Sequence, residues 1–315
     1  NAPMSLAAFN AGTVSDPGRW QPLLVANAAG QLQAQSFTAP YWNNVVPFAL
    51  RSADQFRSPV GPATYPSAQY LQQARDLLSI SAGLTDRQKA IAEYWADGPN
   101  SELPPGHWDL FAQFVAARDH LDLDENVKLF FALTNAIFDA GIAAWDDKAT
   151  FDSVRPITAI RYLFAGQKVL AWAGPGQGTQ LIDGATWTPY QPATSPTPPF
   201  PEYLSGHSTF SSAGAEILRL FTGSDRFGDS VTIAAGSSKV EPGITPASPI
   251  TLSWRTFTQA ADQAGMSRRY GGIHFAQGDL DGRRIGRLVA DQAWAKALSY
   301  FTGGGRRGAG YGLEG

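Results

Sequence analysis

Pro199-Phe200-Pro201-Glu202-Tyr203-Leu204-Ser205-Gly206-His207-Ser208 stands between a segment that cannot be regular structure and one that reads as a helix. Upstream, Pro189, Pro192, Pro196 and Pro198, with Pro199 itself, remove backbone donors and fix φ. Downstream, Phe210, Ala213, Gly214, Ile217 and Phe221 fall on one helical face. Ser205, Gly206 and His207 are therefore predicted at a helix start, where free N–H groups and the positive dipole end favour an anion. A hydroxyl, a glycine that lets a ligand approach the backbone, and a proton-moving imidazole complete the set.

The chain around this stretch has 315 residues, 43% hydrophobic and 12% aromatic, enough for a substantial core. A net charge of −3 gives neither a nucleic-acid footprint nor a strongly acidic tail. Few charges (16%) with 32 glycines and 22 prolines indicate long structured loops rather than disorder. The absence of cysteine excludes disulfides, thiolate nucleophiles and cysteine-based zinc sites. The most apolar run, Leu129 to Trp145, is interrupted by Asn135 and Asp139 and reads as a buried core helix, not a membrane span.

The expected organisation is an extended N-terminal arm over 1–65, a single helical domain over 66–302 and a mobile Gly/Arg tail over 303–315. Trp20, Phe37, Trp42 and Phe48 are the aromatic residues that would pin the arm to the body. Helices are predicted from Ser67 to Ile80, from the capping box at Thr85-Asp86-Arg87-Gln88 through Trp95, from Pro105 to about His120, and from Asp124 to Trp145 or beyond. Others follow Arg155-Pro156, span Ser208–Leu220, and close the chain over about Leu252–Arg269 and Asp279–Phe301. Two Gly/Pro-rich excursions intervene: 166–204, with a short hairpin, and 223–249, with a short strand at Val231-Thr232-Ile233. The class is all-α.

Two further stretches carry chemistry. Lys148 and Arg155 lie seven residues apart around the end of the apolar helix, and Arg155 is followed by Pro156. Ser267-Arg268 precedes His274, with Gly271 and Gly272 allowing a tight turn between. Alone, each is bland: a cation at a helix end is ordinarily solvated, and a lone histidine is ordinarily structural. In order, Lys-x6-Arg-Pro, Ser-Gly-His and Ser-Arg-x5-His resemble the motif shared by type 2 phosphatidic acid phosphatases, bacterial acid phosphatases and vanadium-dependent haloperoxidases. The resemblance covers roughly residues 85–290.

The resemblance implies a helical bundle whose loops cradle a tetrahedral oxyanion. Arg155 and Arg268 would present planar forks to its oxygens, Lys148 a point charge, and Ser205 and Gly206 neutral donors. His274 would approach the central atom axially, with His207 opposite as acid/base. In a phosphatase His274 would form a phosphohistidine; in a haloperoxidase it would ligate vanadium, and Lys148 would polarise peroxide for halide to attack. Trp145 and Phe200 match aromatic positions near the halide site of fungal chloroperoxidases, and tilt the expectation towards the haloperoxidase branch. Vanadate is then the cofactor, though phosphate fits the same cradle. Hydrogen peroxide and halide are the substrates, with a small organic acceptor beside them, and a secreted or periplasmic location is expected. The alternative is a soluble acid phosphatase; a non-catalytic oxyanion binder ranks third. Trp95-Ala96-Asp97-Gly98 resembles a segment whose acid pairs with the third-motif arginine, which assigns Asp97 to orienting Arg268. His107 is expected at the surface or in packing rather than at the pocket mouth, and His120 to be structural. Two departures stand out. Leu204 replaces the usual proline, and Gly278 stands where the phosphatases often have an acid; the nearby acids are Asp279 and Asp281, and the carboxylate that supports His274, if any does, is left open.

Overall fold

The computed structural model describes residues 3–27, 29–98 and 101–303. The predicted tail lies outside these residues apart from Gly303. Among them are eight α-helices: α1 (Ala68–Ala82), α2 (Asp86–Tyr94), α3 (Leu103–Arg118), α4 (Leu123–Phe151), α5 (Pro156–Phe164), α6 (Gly206–Thr222), α7 (Phe257–Tyr270) and α8 (Ala276–Phe301). Their starts follow from local chemistry. The Ser67 hydroxyl accepts from the Tyr70 N–H to cap α1, and reciprocal capping boxes open α2 (Thr85 with Gln88) and α4 (Asp122 with Glu125). Pro156 occupies the first turn of α5, where its missing N–H costs nothing.

Helix α6 packs on α4, α7 and α8, α8 also packs on α4 and α7, and α3 lies against α4 and α6. Leu129, Leu133, Ile217, Leu218, Ile285 and Val289 are fully buried in the shared core. By length and composition α4 could cross a membrane, yet Leu129, Leu133, Ile137 and Ile142 are buried inside the bundle. A second core joins α1 and α5 to the N-terminal arm through Leu77, Ile157, Ile160, Leu23 and Met4.

The all-α expectation needs correcting, because three small sheets decorate the bundle. In the arm, β1 (Met4–Ser5) runs parallel to β2 (Leu23–Ala26), which pairs antiparallel with β3 (Leu32–Ala34). The expected hairpin in the first excursion is β4 (Lys168–Trp172) with β5 (Thr179–Asp183). The strand foreseen at Val231–Ile233 is longer, β6 (Arg226–Ile233), and pairs with β7 (Ile250–Thr256). That pairing overturns the predicted helix start at Leu252. Residues 250–256 bury Leu252 and Trp254 on alternate positions, a strand period, and the helix starts only where Thr256 accepts from the Gln259 N–H.

A glycine stripe on α8 sets how closely α6 approaches. A Cβ on Gly282 would sit 2.9 Å from the Ser205 carbonyl oxygen, and one on Gly286 2.3 Å from that of Thr209. Backbone-to-backbone contact of this kind fixes the start of α6 against α8. Gly286→Ala is therefore expected to destabilise the fold by about 1–3 kcal/mol, read as a lower urea midpoint at unchanged m-value. A wild-type midpoint would contradict this packing.

Candidate active site

The end of α4 and the chain after it are held on two sides. Asp152 terminates the helix in the left-handed region (φ 41°). On one side the N-terminal arm docks: the Trp20 N–H donates to the Asp152 carbonyl (2.8 Å) and the Val154 N–H to that of Gly18 (3.0 Å). On the other, the Glu202 N–H donates to the Ser153 carbonyl (3.1 Å) and the Tyr203 N–H to the Ser153 hydroxyl (2.8 Å). Arg155 is thereby placed beside the proline-rich approach to α6.

Two cations are latched to that approach. Lys148 Nζ donates to the carbonyls of Pro201 (2.9 Å) and Glu202 (3.0 Å), and Arg155 Nε to that of Phe200 (2.7 Å). The Phe200 ring contacts both, its centroid 4.9 Å from Lys148 Nζ and 4.9 Å from the Arg155 guanidinium. Trp145 packs on Phe200 at 5.2 Å between ring centroids.

The third stretch arrives from α7. Arg268 donates to the Ala92 carbonyl (2.8 Å) and the Ser267 hydroxyl (2.9 Å), and Gly272 turns the chain at φ +70°. His274 then lies with Nδ1 2.7 Å from Glu202 Oε1 and Nε2 3.1 Å from Arg155 Nη1. The Arg155 guanidinium can only donate, which fixes the tautomer of the neutral ring: Nε2 presents its lone pair and Nδ1 carries the proton towards Glu202.

Glu202 is the carboxylate that sequence reasoning missed. Neither expected acid supports His274: Asp279 pairs with Arg283 and accepts from the Ser208 hydroxyl, and Asp281 accepts from the Tyr203 hydroxyl. The signal lay at Gly278. A Cβ there would meet Glu202 Oε1 at 2.3 Å, so the glycine makes room for an acid arriving from another segment.

Ser205 caps α6, its Oγ accepting from the Ser208 N–H (3.3 Å), which leaves the hydroxyl hydrogen free to donate. Gly206 follows as the first helical residue. Leu204 is fully buried in the main core, and the Tyr203–Leu204 peptide is cis. His207 retains 17% side-chain exposure, whereas Lys148, Arg155, Ser205, Arg268 and His274 are buried.

The expected pairing of Asp97 with Arg268 does not form within ion-pair distance. Asp97 Oδ1 lies 3.0 Å from Nδ1 of His107, and Oδ2 lies 3.8 Å from His207 Nε2. Asp97 still favours the charged form of Arg268 through its field. His107 stacks on Trp95 with ring centroids 4.5 Å apart and is buried, a packing position as expected, while His120 is exposed beyond the end of α3.

Lys148, Arg155, His207 and Arg268 all disfavour protonation of His274, on top of the dominant effect of burial, which places the five groups in one electrostatic unit. Burial, then Arg155, pulls Lys148 well below its usual value; burial also brings Arg155 to about 9 and Arg268 to about 10. Burial and Arg268 hold His207 at about 3. Glu202 is pushed up to about 7 by burial against the pull of Arg155 and Lys148. Arg155 Nη2 is buried without a protein partner, as is His207 Nε2. Cations crowded out of water, with donors left over, suit an oxyanion.

The fold and site thus define a helical-bundle protein with a buried oxyanion cradle. A family model described as the VCPO second helical-bundle domain matches residues 128–303, and the chain belongs to that vanadium haloperoxidase family. Vanadium chloroperoxidase of Curvularia inaequalis is 29% identical over 151 residues, 42% of this chain and 22% of that protein. Apo and holo crystal structures of a bacterial vanadium-dependent chloroperoxidase superpose with TM-scores of 0.84 and 0.82 at 28% identity, covering 94% of this chain and 67% and 63% of theirs. A bacterial vanadium-dependent iodoperoxidase gives 0.66 at 28% identity, over 89% of this chain and 61% of its own.

Binding of a tetrahedral dianion raises the proton affinity of Lys148 and His207, since negative charge favours their protonated forms. Sulfate titrated calorimetrically near neutral pH, in buffers of different ionisation enthalpy, is expected to bind with net proton uptake. Binding without uptake would mean that neither group faces the anion.

Proposed function

We propose that the protein is a vanadium-dependent haloperoxidase, oxidising halide with hydrogen peroxide to hypohalous acid. The observation that carries this reading is His274, with Nε2 presented to the cradle and Nδ1 held by Glu202, the tautomer a metal-ligating histidine needs. The donor set fits vanadate: one imidazole lone pair, three cations, the Ser205 hydroxyl and the first N–H groups of α6. When bound, vanadate supplies a Lewis-acid centre that activates peroxide without changing its own oxidation state.

The chain's own residues then divide the work. His274 anchors through Nε2, exchanging the contact with Arg155. Arg155 and Arg268 would neutralise the anion's oxygens, Lys148 would polarise peroxide, and His207 would move the proton as acid/base. Trp145 and Phe200 form an apolar wall suited to a weakly hydrated halide. The same nucleophilic nitrogen and cradle support a second reading, acid phosphatase chemistry through a phosphohistidine.

Vanadate, bromide and hydrogen peroxide added together are expected to brominate a phenolic dye, with activity lost in His274→Ala. Hydrolysis of a phosphate monoester, without dye oxidation under vanadate saturation, would select the second reading. Glu202→Gln is expected to lower vanadate affinity about 10- to 100-fold while sulfate affinity stays within a few-fold. Unchanged vanadate affinity would remove Glu202 from this role.

A further inference from the structure

His107 lies outside the three motifs, yet it ends a chain of polar contacts leading to His207. It is buried at 3% exposure and stacks on Trp95, with Phe111 at 4.9 Å between ring centroids. Both ring nitrogens have partners: Nδ1 lies 3.0 Å from Asp97 Oδ1 and Nε2 3.0 Å from the Tyr94 hydroxyl. Burial raises Asp97, but the hydrogen bond from His107 together with the field of its neighbours, Arg268 among them, outweighs this and keeps Asp97 in its charged form. A charged Asp97 only accepts, so His107 Nδ1 carries the proton and Nε2 accepts from the Tyr94 O–H. The directions are then fixed along the whole chain.

One acceptor remains at its end. Asp97 Oδ2 is buried without a partner and lies 3.8 Å from His207 Nε2, itself without a hydrogen bond. Arg268 is the competing partner, since it and Asp97 stabilise one another's charged forms.

We propose that His107, oriented by Tyr94, is a positioning residue for the acid/base histidine. By taking Asp97 Oδ1 it turns Oδ2 towards His207 and away from Arg268. His207 Nε2 then carries the neutral proton and Nδ1 is left for the cradle. This rests on the reading of His207 as acid/base, but the arrangement of the four residues does not. The charged and titratable groups around His207 are Arg268, Asp97, His107 and His274, with the Ala96 carbonyl; Glu102 Oε1 lies 3.9 Å from His107 Nδ1.

The chain has only four histidines, so long-range 15N–1H NMR of the vanadium-free protein resolves each ring. In the wild type His207 is expected as the Nε2–H tautomer near neutral pH. In His107→Phe, which keeps the stack on Trp95 but removes the donor, the Nδ1–H tautomer is expected to gain population as Asp97 turns to Arg268. His107→Asn, which retains a donor near the Nδ1 position, is expected to restore the wild-type pattern. In the vanadate-loaded enzyme His107→Phe is expected to lower kcat about tenfold or more, within the range of general acid–base contributions, with KM for peroxide little changed. An unaltered His207 tautomer in folded His107→Phe would overturn the proposal whether or not the enzyme oxidises halide. Loss of dye oxidation in the wild type would instead strike the functional reading alone.

Discussion

The site depends on the main chain of residues 200–202. Their carbonyls accept from Arg155 and Lys148, and the Glu202 side chain takes His274. Moving a cation from water into a protein interior costs several kcal/mol even after relaxation, and this site buries three: Lys148, Arg155 and Arg268. Charge-assisted bonds to carbonyls offset part of that cost without neutralising the charge. Carboxylates in those places would have paired the cations and closed the site to anions. Prolines at 199 and 201 suit the task, since they carry no N–H to satisfy and hold φ near one value.

The bundle's contribution is to make this arrangement rigid. Helix α6 can begin where it does only because Gly282 and Gly286 let it lie against α8, and Gly278 in the same row admits the Glu202 carboxylate. One row of missing side chains serves both the packing and the histidine. The N-terminal arm, bridged at Arg19 to Ser153 and bonded around Asp152 and Val154, closes the other side of Arg155. Although it lies outside the recognised motifs, the arm is part of what fixes the cradle.

Much of this was legible in the sequence, and the exceptions share a cause. Helix starts at Ser67, Thr85 and Pro156 were readable because caps and prolines act within one turn. The grouping of Lys148, Arg155, His207, Arg268 and His274 was readable because motif order preserves it. Strand β7 was not, because the alternation of Leu252 and Trp254 acquires meaning only with β6 alongside. The acids near His274 in sequence are Asp279 and Asp281, whereas its partner comes from 72 residues upstream. The resemblance pairs Asp97 with Arg268, whereas the nearer donor is His107, ten residues further on in α3.

Gly278 and Glu202 show why such a partner is hard to place from one sequence. The requirement at His274 is chemical: an acceptor near 2.7 Å from Nδ1, shielded from water. Nothing in that requirement specifies which segment brings the acceptor. What the fold does specify is the volume available, and here the volume beside Nδ1 is shared by residue 278 of α8 and residue 202 of the preceding loop. A side chain at one excludes a carboxylate from the other, so the pair is constrained jointly although neither is constrained alone. The loop position brings a further effect, because the residue whose carboxylate holds His274 also offers its carbonyl to Lys148. Any displacement of that loop moves His274 and Lys148 together.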